Sequence, residues 1–281
     1  MKTLLSATAL SLLMAGVAAP ALAQSAPDWS GPYIGIYGGG IDNKEQEDET
    51  LIFDRNLDGV FGETVTTAPP ANANAFAPGF CSGSASTNQA PDGCNGDNTG
   101  VEGSIRAGYD WQFGSFVAGV VGEWSAVDVD DTVTGFSSTP ASYVFKRQVN
   151  DMAALRARLG YAAGPALVYI TGGAAYAGIE NSFQTTNTAN SFVVREDDDK
   201  ADGWQAGAGL EWRLAPNLSV TGEYLYTSLT PGDYVVRAGN TGTTPATNPF
   251  ILAPNTTGTD IMRSNDEMEL HAVRIGMNVR F

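Results

Sequence analysis

The chain is nearly devoid of lysine and has one histidine and two cysteines in 281 residues. A single histidine leaves little room for the Ser-His or Cys-His pairs that most hydrolytic chemistry needs. Two cysteines with no histidine near them are too few for a zinc site. Beyond the first two dozen residues, no apolar run approaches the ~20 residues of a spanning helix. Positive charge is also scarce: 15 Lys and Arg face 31 Asp and Glu, for a net charge of −16. That balance argues against nucleic acid or an anionic lipid surface as partner.

What is present begins with a leader. Met1-Lys2-Thr3 precedes an apolar run from Leu4 to Ala19, and Ala21-Leu22-Ala23 supplies a small-x-small cleavage site. This pattern is that of a secretory signal peptide over residues 1–23. Its removal takes Lys2 with it, leaving a mature domain over residues 24–281 with a charge of −17. If that domain sits in a membrane, it must cross with strands. The 33 glycines and frequent Thr, Asn and Ala favour strands and polar loops over helices.

The strands announce themselves by a period of two. From His271 to the C-terminus, Val273, Ile275, Met277, Val279 and Phe281 share one face, with Arg274, Gly276, Asn278 and Arg280 on the other. The same alternation recurs in Trp204–Arg213 and in Leu218–Thr227. It recurs again in Glu102–Trp111, Phe116–Ser125 and Ala153–Tyr161. With Leu167–Ile179 and the glycine-rich Tyr33–Ile41, eight strands are predicted. Short turns near 113, 164 and 216 alternate with long loops at about 42–100, 128–147, 181–201 and 230–267.

Strict alternation of short turns and long loops is the asymmetry of an outer-membrane barrel, with turns on the periplasmic rim and loops outside. The predicted fold is therefore all-β: an eight-stranded antiparallel up-and-down transmembrane β-barrel with both termini periplasmic. Aromatic residues sort to the strand ends. Trp111, Phe116, Tyr161, Trp212 and Phe281 fall at the short-turn rim, and Trp124, Tyr176, Trp204 and Tyr226 at the long-loop rim. The inward face carries Arg106, Arg156, Arg158, Arg213, Arg274 and Arg280 against Glu102, Asp110, Glu123, Glu211 and Glu223. Buried charges persist when paired, and an eight-stranded barrel is just wide enough for side chains to fill it. A salt-bridged, plugged lumen is expected. Excess acid then falls in the loops, in Asp42–Glu49, Asp128–Asp131 and Glu196–Asp199.

Several stretches carry a family resemblance. Trp29-Ser-Gly-Pro-Tyr33-Ile-Gly resembles the opening strand of small alphaproteobacterial outer-membrane β-barrels, the porin-like family related to the OmpA transmembrane domain. Leu155-Arg-Ala-Arg-Leu-Gly-Tyr161, followed by Tyr169-Ile-Thr-Gly-Gly-Ala-Ala-Tyr176, resembles that family's most specific internal stretch. The terminal Val279-Arg-Phe281 resembles the signal read by the barrel assembly machinery. The resemblance covers residues from about 29 to 281, apart from the first loop. It implies a Gram-negative outer-membrane location, contact with outer-membrane lipid and lipopolysaccharide, and often a structural or envelope role.

Three further features are candidates. Cys81 and Cys94, in an exported chain, are expected to form a disulfide within the first loop. Asp54-Arg-Asn56-Leu-Asp58-Gly59 mimics the start of a calcium loop, but Val65 stands where the bidentate acid belongs and Glu63 falls two residues short. Calcium is the one cofactor this suggests, against the plain alternative of a polar Asp-Gly turn. His271 lies on the lipid-facing parity, with no serine two residues away on the strand, so an enzyme is not expected. A peptidoglycan-binding domain is not expected after Phe281. The functional expectation is a non-enzymatic barrel with an envelope or surface role. The alternatives are a narrow porin-like channel or transporter, and an adhesin or divalent-cation-binding loop protein whose surface partner is unknown.

Overall fold

The computed structural model describes residues 28–44, 49–97 and 99–281. The predicted leader, residues 1–23, lies outside the described residues, as do 45–48 of the first acidic run. The chain is almost entirely antiparallel β. In order the strands are β1 Gly31–Asn43, β2 Leu51–Asp54, β3 Gly79–Ser82, β4 Ser84–Ala85 and β5 Cys94–Asn95. Next come β6 Gly100–Phe113, β7 Phe116–Ser137, β8 Ala141–Ala163, β9 Ala166–Thr185 and β10 Asn190–Asp197. The series ends with β11 Lys200–Ala215, β12 Leu218–Pro231, β13 Tyr234–Asn240, β14 Gly258–Arg263 and β15 Met268–Arg280.

Eight of these strands form a ring of pairings. Hydrogen-bonded neighbours run β7-β6-β1-β15-β12-β11-β9-β8, and β8 pairs in turn with β7. Alternation of side chains along each strand sets the ring's two faces. In β15, Arg274 and Asn278 are buried inside, while Val273 and Ile275 are each 68% exposed outside. Outward-facing Trp111, Phe116, Trp124, Tyr161, Tyr176, Trp204 and Trp212 are likewise exposed. The short connections are two residues long, between Phe113 and Phe116, Ala163 and Ala166, and Ala215 and Leu218. Gly114 (φ +63°) and Gly164 (φ +58°) open two of them, supplying the positive φ such hairpin turns demand.

The long loops differ from the expectation. Residues 128–147 are not a loop: β7 and β8 continue through them, and only Ser138–Pro140 turns the chain. The other three connections build structure of their own. β2, β10, β13 and β14 form a second sheet in the order β10-β13-β14-β2. This sheet faces the upper parts of β7, β8 and β9 across an aromatic core. Phe145 meets Phe183 at 4.9 Å and Tyr234 at 5.9 Å between ring centroids, and Tyr143 meets Phe192 at 6.2 Å. We call this two-layer body the crown.

The reason the extensions were hidden is local. β8 pairs Val149 with Ile179 and Asp151 with Gly178, so Asn150 is an extra residue. Such a bulge reverses which parity is buried. Odd residues Tyr143, Phe145, Arg147 and Val149 are buried above it, and even residues Met152, Arg156 and Arg158 below it. On β7, residues 131–136 are buried on both faces, so polar alternation is lost there.

Candidate functional site

The ring interior stacks three layers. At the short-turn end, Arg158 and Arg280 face Asp110 and Glu211. Arg158 reaches Asp110 at 3.3 Å and also bonds Glu211, and Arg280 reaches Asp110 at 2.8 Å. Higher up, three arginines meet three glutamates. Arg106 donates to Glu123 at 2.7 Å and to Glu223 at 3.0 Å. Arg274 donates to Glu223 at 2.9 Å, lies 2.7 Å from Glu123 and reaches Glu102 at 3.4 Å. Arg156 donates to Glu123 at 3.1 Å and bonds Gln205.

Tyrosines tie the two charged layers together. Tyr169 donates its hydroxyl to Glu223, and the Arg158 guanidinium lies 3.8 Å from its ring centroid. Arg106 lies 3.6 Å from the Tyr37 centroid and Arg280 4.8 Å from that of Tyr33. Desolvated cation–π contacts of this kind add to the pairing of charges. The register explains the juxtapositions: Arg106 sits opposite Glu123 on β7, and Glu223 opposite Arg274 on β15. Above the charges lies an apolar layer that includes Ile41, Met152, Leu225, Leu229, Met268 and Leu270.

Arg213 departs from the expected network. It lies at the short-turn rim, donating to the backbone carbonyls of Asp28 (2.9 Å) and Pro216 (3.2 Å) and covering the Trp29 ring at 4.3 Å. Near the strand end at Ala215 its partner on β12 is Ser219, and rim carbonyls take its donors. His271 stays on the outer wall, with Nδ1 2.7 Å from the Tyr224 hydroxyl. Phe281 lies 74% exposed at the short-turn end, its N–H bonded to the Pro32 carbonyl.

A second ionic cluster was not expected. Arg263 of β14 holds Glu49 at 2.6 Å and Asp131 of β7 at 2.8 Å. Arg147 of β8 binds Asp131 at 2.6 Å and the carbonyls of Asn265 and Glu267. Asp131 is therefore buried in ion pairs and is not part of an exposed acidic loop. Burial alone would raise its carboxyl, but the Arg263 and Arg147 guanidiniums hold it below the usual range. The signal was available in part: Asp131 and Arg147 are cross-strand partners once β7 and β8 are extended. Arg263 and Glu49 come from distant loops and carry no such signal.

In the first loop, Cys81 and Cys94 are bonded. The predicted calcium loop closes upon itself. The Asp54 carboxylate accepts the amides of Leu57 (2.6 Å) and Gly59 (2.8 Å), and Glu63 accepts those of Arg55 and Asn56. Asn56 donates to Asp58 at 2.9 Å. Among the described residues, no three acidic, His or Cys side chains converge as metal ligands do.

Comparison with known proteins gives one consistent direction. Residues 9–281 match the family described as outer membrane protein beta-barrel domain. The chain is 32% identical over 186 residues to the 31 kDa outer-membrane immunogenic protein of Brucella melitensis, a match covering 65% of this chain and 67% of that protein. It is 27% identical over 173 residues to a 22 kDa outer membrane protein of Rhizobium leguminosarum, covering 62% and 74%. Among solved structures, the outer membrane protein OprG from Pseudomonas aeruginosa aligns with a TM-score of 0.46 and 11% identity, over 90% of this chain and 97% of that one.

Proposed function

Because the chain belongs to the outer membrane protein β-barrel domain family, we propose that it is a closed, eight-stranded transmembrane barrel with a structural, surface-presenting and non-enzymatic role. The observation that carries this reading is the filled interior. Five arginines and five carboxylates pair across the ring, and an apolar layer lies over them. The apolar layer stands across the polar path that ions need. Single-channel recording of refolded protein in planar bilayers tests it. No steady conductance steps are expected. Regular unit steps would instead make the protein a narrow channel.

The outer wall supports membrane insertion. Exposed Ile34, Ile105, Leu155, Leu159, Ile170 and Ile275 lie between the two aromatic rims, as lipid and lipopolysaccharide acyl chains require. On this reading the termini are periplasmic, the crown faces the medium, and Phe281 serves as the assembly signal. Deleting Phe281 should impair insertion; normal membrane insertion of that truncation would overturn its role. The folded crown, and the word immunogenic in the name of the Brucella relative, support surface presentation. His271, held against Tyr224 on the outer wall, supports a non-enzymatic reading.

A further inference from the structure

The crown contains a cleft of about 210 Å³, smaller than the roughly 300–1,000 Å³ of a drug-sized site. Three turns wall it: 138–141 joining β7 to β8, 186–189 joining β9 to β10, and 248–250 before β14. Three loops distant in sequence thus meet at one place in the crown.

Its chemistry is selective. Its base is closed by the buried rings of Phe76, Tyr143 and Phe250, with centroids 5.2 to 6.0 Å apart. The wall is amide and hydroxyl. Asn187 donates to the Tyr143 hydroxyl at 2.8 Å and to Asn190 at 3.0 Å, and Asn248 donates to Asn190 at 2.8 Å. Asn248 also caps the 249–251 turn by accepting the Phe250 amide. These side chains are held in place before any ligand arrives, which lowers the ordering cost of binding. Burial raises the Tyr143 phenol above its usual 10.0, keeping it neutral.

None of the residues lining the cleft is Asp, Glu, Lys or Arg, in a chain of net charge −16. A charged ligand of either sign would find no counter-charge among the lining residues. An uncharged cleft of this size, walled by amides and hydroxyls with ring edges only at its base, matches a small neutral ligand whose rim is all hydroxyl. We propose that this cleft binds one pyranose ring of a neutral glycan. The proposal names a ligand class for the surface role above and relies on that role only for the side of the membrane that the crown faces.

The test uses full-length protein refolded in detergent micelles, with glucose, galactose, mannose and N-acetylglucosamine as probes. Saturation-transfer NMR should show saturable transfer to at least one of them, and weaker transfer to glucuronate at low salt. Thr188→Trp fills the cleft from an exposed lining position and should weaken binding by about tenfold or more. Thr243→Trp, exposed and outside the cleft, should not. Unchanged protease resistance of the loops establishes that both variants keep the crown folded. No saturable transfer from any neutral sugar, binding indifferent to Thr188→Trp, or preference for glucuronate would overturn the proposal. Because micelles expose the crown on any topology, its failure is separable from that of the surface reading. That reading fails if cell-impermeant labels do not reach the crown on whole cells.

Discussion

The ring interior and the crown interior are both buried, yet they are opposites. Inside the ring, Arg106, Arg274, Glu123 and Glu223 fill the space. Inside the crown, Phe53, Phe76, Phe145, Phe250 and Ile261 fill it. β8 contributes to both. Its Arg156 and Arg158 lie below the Asn150 bulge and its Tyr143 and Phe145 above it. The difference follows from what lies outside. Where the outer face meets lipid, apolar residues are drawn outward and polar ones are left to pair within. Where it meets water, apolar burial drives the core in the ordinary sense. On β8 one extra residue exchanges the faces between the two interiors, whereas β9 places Tyr169 in one and Phe183 in the other on a single parity.

The comparison breaks most sharply at Glu223, which serves Arg106, Arg274 and Tyr169 together. Glu223→Ala leaves Arg106 and Arg274 to share Glu123 and should cost roughly 3–5 kcal/mol, the range for breaking a buried pair. A urea midpoint that hardly moves in micelles would show that the lumen charges are solvated. Phe145→Ala tests the other core. It should cost roughly 3–4 kcal/mol, confined to the crown, so protease resistance of the loops falls while heat-modifiable migration stays.

A smaller effect is expected at the junction. Asp131 has its carboxyl held down by two arginines, so its stabilising contribution is complete above the ordinary 3.8. That contribution is lost as the pH falls through the lower folded-state value. Crown proteolysis should accelerate in acid at that step, and Asp131→Asn should remove the step from the pH profile. Least affected should be Arg213→Ala at the rim, with a change in unfolding midpoint worth under about 1 kcal/mol. A loss as large as that of Glu223→Ala would place Arg213 within the lumen network after all.

The ring could be read from the amino acids because one face of every strand meets a single medium. Val273 to Phe281 alternate without a break, and the arginines of β6, β8 and β15 fall on the opposite parity. The crown resisted the same reading for three reasons. Phe145 and Arg156 obey different parities across Asn150. Residues such as Thr132, Val133 and Thr134 are buried on both faces of β7, so no alternation survives. And β2 pairs with β14 more than 200 positions away, a distance over which local pattern says nothing. Parity puts Arg213 on the inward side of β11, but parity does not report how near a strand end a side chain lies.

The crown sheet takes β2 from the first loop, β10 from the third, and β13 and β14 from the fourth. An antibody footprint laid across its surface therefore spans segments that are remote in the chain. Serum raised against the folded protein should lose most of its crown reactivity when the antigen is boiled in detergent, and short synthetic peptides should recover little of it.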